Sequence, residues 1–111
     1  MGKQIKRTYC FETKNALVLL ANAIKAGRKR NKMTQQELAD RVGVSRSTLR
    51  RIESADPACE IGTVFEAAYI AGVTLIGDKE EKAKLAATVE SLLHVLPKKI
   101  KHKDVAVHDD F

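Results

Sequence analysis

The chain has 111 residues, of which 20 are Lys or Arg and 14 are Asp or Glu, giving a formal charge of +6, and it contains no Trp. That length suits one small domain with appendages, its 44% hydrophobic content fits a helical core of Leu, Ile, Val and Ala, and so small a core favours dimerisation. A membrane span is not expected, because LVLLANAIKAG falls well short of about 20 apolar residues, and the basic start lacks the apolar run of a secretory signal.

Residues 1–15 read as an N-terminal arm, with Lys3, Lys6 and Arg7 ahead of Tyr9, Cys10 and Phe11. Such an arm can follow a DNA minor groove; a mobile terminus or a strand packed on a partner is equally open. A first helix is expected over residues 16–31, with Leu17, Leu20, Ala21 and Ile24 on one stripe. The basic residues from Lys25 to Lys32 complement the negative end of its dipole, which alone accounts for them.

Two helix starts flanking one glycine follow. Thr34 and Glu37 form a capping box that satisfies the first amides of a second helix running through Leu38, Ala39 and Val42. Gly43 ends it, since a left-handed residue is needed there and a Cβ raises the cost. Ser45 caps a third helix with its hydroxyl, and Val44 plugs the turn. At about 100° per residue with Arg46 at zero, Arg50, Ser54, Ser47 and Arg51 fall at about 40°, 80°, 100° and 140°, and Thr48, Ile52 and Leu49 at about 200°, 240° and 300°. One face is cationic and the opposite face apolar. A charged face is ordinarily solvated surface, but three arginines directly after a capped helix and a glycine turn point to DNA contact.

These residues resemble the lambda Cro and repressor class of helix-turn-helix domains, also called the Xre family. The resemblance covers about residues 16–72 and rests on Thr34-Gln35, Glu37-Leu38-Ala39, Gly43-Val44-Ser45, Leu49 and Ile52-Glu53 together. It implies an all-α, lambda repressor-like five-helix DNA-binding domain. It also implies that Gln35 hydrogen-bonds a phosphate while Arg46, Ser47 and Arg51 reach base edges in the major groove. Arg50, between them, serves bases or backbone, and Ser45 sits at the DNA-facing cap. An arginine–glutamate pair tying the first helix to the recognition helix maps onto Arg28 and Glu53.

Charge supports the same face. Over residues 25–51 nine basic residues stand against two acids, a net of +7, whereas over residues 52–96 three lysines stand against eight acids, a net of −5. Such asymmetry steers one end of a molecule to DNA, with steep salt dependence.

Asp56-Pro57 marks a turn, and a fourth helix is expected over about residues 62–71, with Val64, Ala67, Ala68 and Ile70 in the core and Thr63 near its cap. Residues 73–76, VTLI between glycines, read as a short strand, and 16–77 as the DNA-binding domain. Its backbone needs a partner: pairing across a dimer, or a loop against the monomer. Residues 78–96 read as a fifth helix capped by Asp78, whose stripe of Leu85, Val89, Leu92, Leu93 and Leu96 is core or a dimer surface. Residues 97–111 are a flexible tail, or a peptide that orders on a partner.

The expected function is that of a sequence-specific repressor, a homodimer on a palindromic double-stranded operator. The helix-turn-helix followed by GVTLIG and a flexible end looks like the HipB-like antitoxins, which implies autoregulation and a HipA-type serine/threonine kinase as partner. A stand-alone phage-type or metabolic Xre repressor is the alternative. His94, His102 and His108 form no metal spacing with Cys10 and Cys59, and no phosphate-binding glycine loop occurs, so no enzyme, metal or cofactor is expected. The two cysteines form no CxxC pair and read as free thiols of a reducing, cytoplasmic compartment.

Overall fold

A computed structural model describes residues 8–99, and these form five helices: α1 (Phe11–Arg30), α2 (Gln35–Val42), α3 (Arg46–Glu53), α4 (Ile61–Ile70) and α5 (Lys79–Val95). The chain divides into two units, one ending at Leu75 and the other beginning at Ile76.

Helix α1 begins five residues earlier than the hydrophobic stripe predicts. Cys10 is its extended N-cap, and residues 11–15 hold neither Pro nor Gly to delay the first turn, while Glu12 there favours the positive end of the dipole. Five residues of the expected arm are therefore helical, and the arm's Lys3, Lys6 and Arg7 lie outside the described residues. The stripe itself is real, with Ala21 and Ile24 buried and Leu17 and Leu20 half-buried.

The first four helices end in the same way. Met33, Val44, Asp56 and Val73 each donate their N–H five residues back, to the carbonyls of Arg28, Ala39, Arg51 and Ala68, at 2.8–3.0 Å. The residue before each donor is left-handed: Lys32 (φ 56°), Gly43 (φ 88°), Ala55 (φ 63°) and Gly72 (φ 85°). These bonds satisfy carbonyls that the helix end would otherwise leave open. Met33, Val44 and Val73 turn inward onto a core of Ile24, Leu38, Ala39, Leu49, Ile52, Ala67, Ala68 and Ala71.

Small residues set the packing. A Cβ at Gly27 of α1 would collide with the carbonyl oxygen of Ala71, so glycine there lets α1 lie directly on the end of α4. Helix α2 packs on α3 and α4, and α1 on the same two. Helix α4 begins one residue before expectation, at Ile61, where the Thr63 hydroxyl donates to the carboxylate of the N-cap residue Glu60 at 2.8 Å.

The expected strand over 73–76 is not formed; no strand occurs among the described residues. The reason lies in the backbone. The Val73 N–H is committed to closing α4, and its side chain packs on the core, so the run begins as a helix terminus rather than as an extended element.

In the second unit, α5 starts as expected at Asp78. Its carboxylate accepts the Glu81 N–H, and Glu81 accepts the Asp78 N–H, both at 2.8 Å, a complete capping box. None of its side chains is buried, and Leu85, Val89, Leu92, Leu93 and Leu96 are all exposed. Of the expected tail, residues 100–111 lie outside the described residues.

Candidate nucleic-acid interface

Helix α3 is presented by its own caps. The Ser45 hydroxyl accepts the Thr48 N–H at 3.0 Å and donates to the Thr48 hydroxyl at 3.1 Å, so Ser45 spends its hydroxyl on starting the helix. Leu49, Ile52 and Glu53 face inward; Arg46, Ser47, Arg50 and Arg51 are exposed. The wheel read from the sequence is thus the face the fold presents. Upstream, the Thr34 hydroxyl accepts the Glu37 N–H at 3.0 Å and Glu37 accepts the Thr34 N–H at 2.8 Å, which fixes the start of α2 beside it.

Helix α3 is locked to α1 by one buried ion pair. Arg28 donates from Nε to Glu53 Oε2 at 2.7 Å and from Nη2 to Glu53 Oε1 at 3.0 Å, and a third donor, Nη1, reaches the Met33 carbonyl at 2.9 Å. Every nitrogen of the guanidinium fork has a use, which a lysine's point charge could not match. No buried side-chain polar atom among the described residues is left unpartnered. The arginine–glutamate tie that the resemblance implied is present, but it removes Arg28 from the exposed cationic surface. The excess of positive charge over residues 25–51 therefore overstates by one what the surface offers.

Gln35 joins the same network. Its side-chain amide donates to Glu53 Oε1 at 3.1 Å. A carboxamide nitrogen carries two hydrogens, so one remains for another acceptor. Sequence reasoning assigned Gln35 outward and did not see its inward bond; the eighteen-residue separation offers no local signal.

Among the three arginines of α3, one differs. Arg51 Nε donates to Asp56 Oδ2 at 2.9 Å, with the Arg51 side chain 48% exposed. Arg46 and Arg50 make no side-chain hydrogen bond or ion pair among the described residues. Asp56 was read from the sequence only as a turn residue. Behind this surface Cys59 packs on the core, and burial pushes its thiol pKa up. No cluster of ligating side chains suited to a metal ion occurs among the described residues, and no helix there is long and apolar enough to cross a membrane.

Two capped helices joined by a glycine turn, the second showing a polar cationic face, form a helix-turn-helix DNA-binding domain. Residues 24–68 match the helix-turn-helix family HTH_3. Two solved structures are similar to part of the chain. One, described as "MDT Protein", is 25% identical with a TM-score of 0.49, and the other, described as a complex of a HipB single-residue variant with an O2 20mer, is 26% identical with a TM-score of 0.48. Each covers 68% of this chain and 99% of its own. No curated protein matches the chain.

Proposed function

We propose that this protein is a sequence-specific repressor that inserts α3 into the major groove. The observation that carries this reading is the exposed face of Arg46, Ser47, Arg50 and Arg51 on a helix whose inner face is locked to α1 through Arg28 and Glu53. Arginine forks match guanine O6 and N7. Arg46, Ser47 and Arg51 read base edges, Arg50 serves bases or backbone, and the second amide hydrogen of Gln35 goes to a phosphate. Ser45, its hydroxyl engaged with Thr48, contributes by fixing the helix start beside the backbone.

The test is binding of wild type and Arg51→Ala to an operator selected from random duplexes, across a salt series. Loss of a guanine contact costs about 1–3 kcal/mol and relaxes preference at one position. Loss of a phosphate contact would instead weaken all sequences equally and reduce the salt slope by about one.

The finer reading is an autoregulating, cytoplasmic antitoxin, homodimeric on a palindromic operator and holding a HipA-type kinase. Its support is apolar surface outside α3: Leu75 and Ile76 are exposed, and so is the α5 stripe. A second copy of the chain suits that stripe, and a dimer on a palindromic operator requires two recognition helices about 34 Å apart or a multiple of it. Sedimentation that shows a monomer at micromolar concentration would reject the dimer. Copurification with a kinase-sized protein distinguishes the antitoxin from a stand-alone repressor.

A further inference from the structure

We propose that Asp56 is the specificity-determining partner of Arg51: it grips the guanidinium from behind, through Nε, and aims the two terminal amino groups at a single guanine. The proposal rests on the reading of Arg51 as a base contact.

Three features hold Asp56 in place. Its own N–H donates to the Arg51 carbonyl at 3.0 Å, and the left-handed Ala55 before it donates to the Ile52 carbonyl at 3.1 Å, so the backbone sets residue 56 beside residue 51. Its Oδ1 accepts the Ala58 N–H at 2.9 Å, which orients the carboxylate. Its Oδ2 then accepts Arg51 Nε at 2.9 Å. An arginine carries five N–H donors, and this bond uses one, leaving four on Nη1 and Nη2 to form the fork that guanine O6 and N7 accept.

The comparison with the other helix ends argues against a merely structural role. At the equivalent position of α1, α2 and α4 stand Met33, Val44 and Val73, each packed on the core, as this kind of helix end favours. Only at the end of the recognition helix is that position a carboxylate, 32% exposed and joined to an arginine of the exposed face. Arg46 and Arg50 have no such tether among the described residues. A long side chain restrained before docking loses less rotamer freedom on binding, which raises discrimination without adding a contact. The carboxylate also offsets part of the Arg51 charge, which reduces the attraction of that side chain for phosphate of any sequence.

The experiment compares wild type, Arg51→Ala, Asp56→Asn, Asp56→Val and the Arg51→Ala/Asp56→Val double variant, each checked for helical content and thermal midpoint. Binding is measured on a duplex selected by the wild type, on its single-base-pair variants and on a random duplex. Asp56→Val, which supplies the apolar residue usual at this position, is expected to lose about tenfold on the selected duplex and nothing on the random one. It should relax preference at the same base pair as Arg51→Ala and add no further loss in the Arg51→Ala background. Asp56→Asn, which keeps an acceptor without the charge, should lie between; it carries the comparison if the valine variant does not fold. Operator binding by Asp56→Val as tight as wild type or tighter would overturn the proposal, as would losses that multiply in the double variant. Unchanged base preference in Arg51→Ala itself sinks the underlying reading of Arg51, a result seen without any Asp56 variant.

Discussion

Replacing Glu53 with Ala tests the joint on which the interface depends. Glu53 is 4% exposed and Arg28 8%, so the pair lies out of water. The substitution strands two guanidinium donors of Arg28 and the amide donor of Gln35, leaving an unpaired charge in the interior. Breaking a buried pair from one side costs about 3–5 kcal/mol, against about 5–15 kcal/mol for a whole small domain. Urea unfolding followed by helical circular dichroism measures it: with a slope of about 1 kcal/mol/M the midpoint should fall by about 3 M or more, or the variant should be unfolded at the outset. The Arg28→Met/Glu53→Met double variant is the control, because removing both charges avoids the stranded ion. It leaves the Met33 carbonyl without its donor, a cost of about 1–3 kcal/mol, and should still be more stable than Glu53→Ala. A Glu53→Ala cost below about 1 kcal/mol, or a double variant worse than the single, would refute the reasoning: the pair would then be solvated and not the lock between α1 and α3.

Gly27→Ala should destabilise by about 1–3 kcal/mol, seen as a lower thermal midpoint, because its Cβ meets the Ala71 carbonyl and α1 must shift off α4. Ala55→Gly should raise stability by about 1 kcal/mol in the same assay, since the left-handed conformation at φ 63° is costly for an L residue and free for glycine. Thiol labelling at mildly alkaline pH should modify Cys10 well before Cys59. The Thr13 hydroxyl against the Cys10 sulfur, at 3.4 Å, and nearby backbone groups lower its pKa, so its thiolate forms at lower pH, whereas burial raises that of Cys59. Equal rates at the two positions would contradict this.

What was legible in the sequence was local chemistry. Thr34 with Glu37, Ser45, Asp78, and the glycines at 43 and 72 each announce a helix end, and the structure puts the ends there. The start of α1 was not legible, because the apolar stripe begins at Leu17 while the first turns are exposed and carry no pattern. Residues 73–76 misled for the opposite reason. β-branched composition suggested extension, but the use of the Val73 N–H is decided by Ala68, five residues back. Arg28 and Glu53, twenty-five residues apart, came through resemblance alone. The grip of Asp56 on Arg51 had a signal that could not be weighed from sequence: glycine would have marked the left-handed turn, and Ala55 stands there instead.

The anchors of α3 all lie off its exposed cationic face. Ser45 holds the start through Thr48, Leu49 and Ile52 hold the middle through the core, and Glu53 holds the last turn through Arg28 and Gln35. The side chains of Arg46, Ser47 and Arg50 take no part in any of these, so changes there should leave stability within about 0.5 kcal/mol. Arg51 is the exception, because its carbonyl and its guanidinium are both tied to residue 56. The exposed face is thereby divided into three side chains uninvolved in holding the helix and one coupled to the helix terminus. Under the proposed reading, changing the base preference at Arg51 calls for a change at Asp56 as well, whereas at Ser47 one substitution suffices.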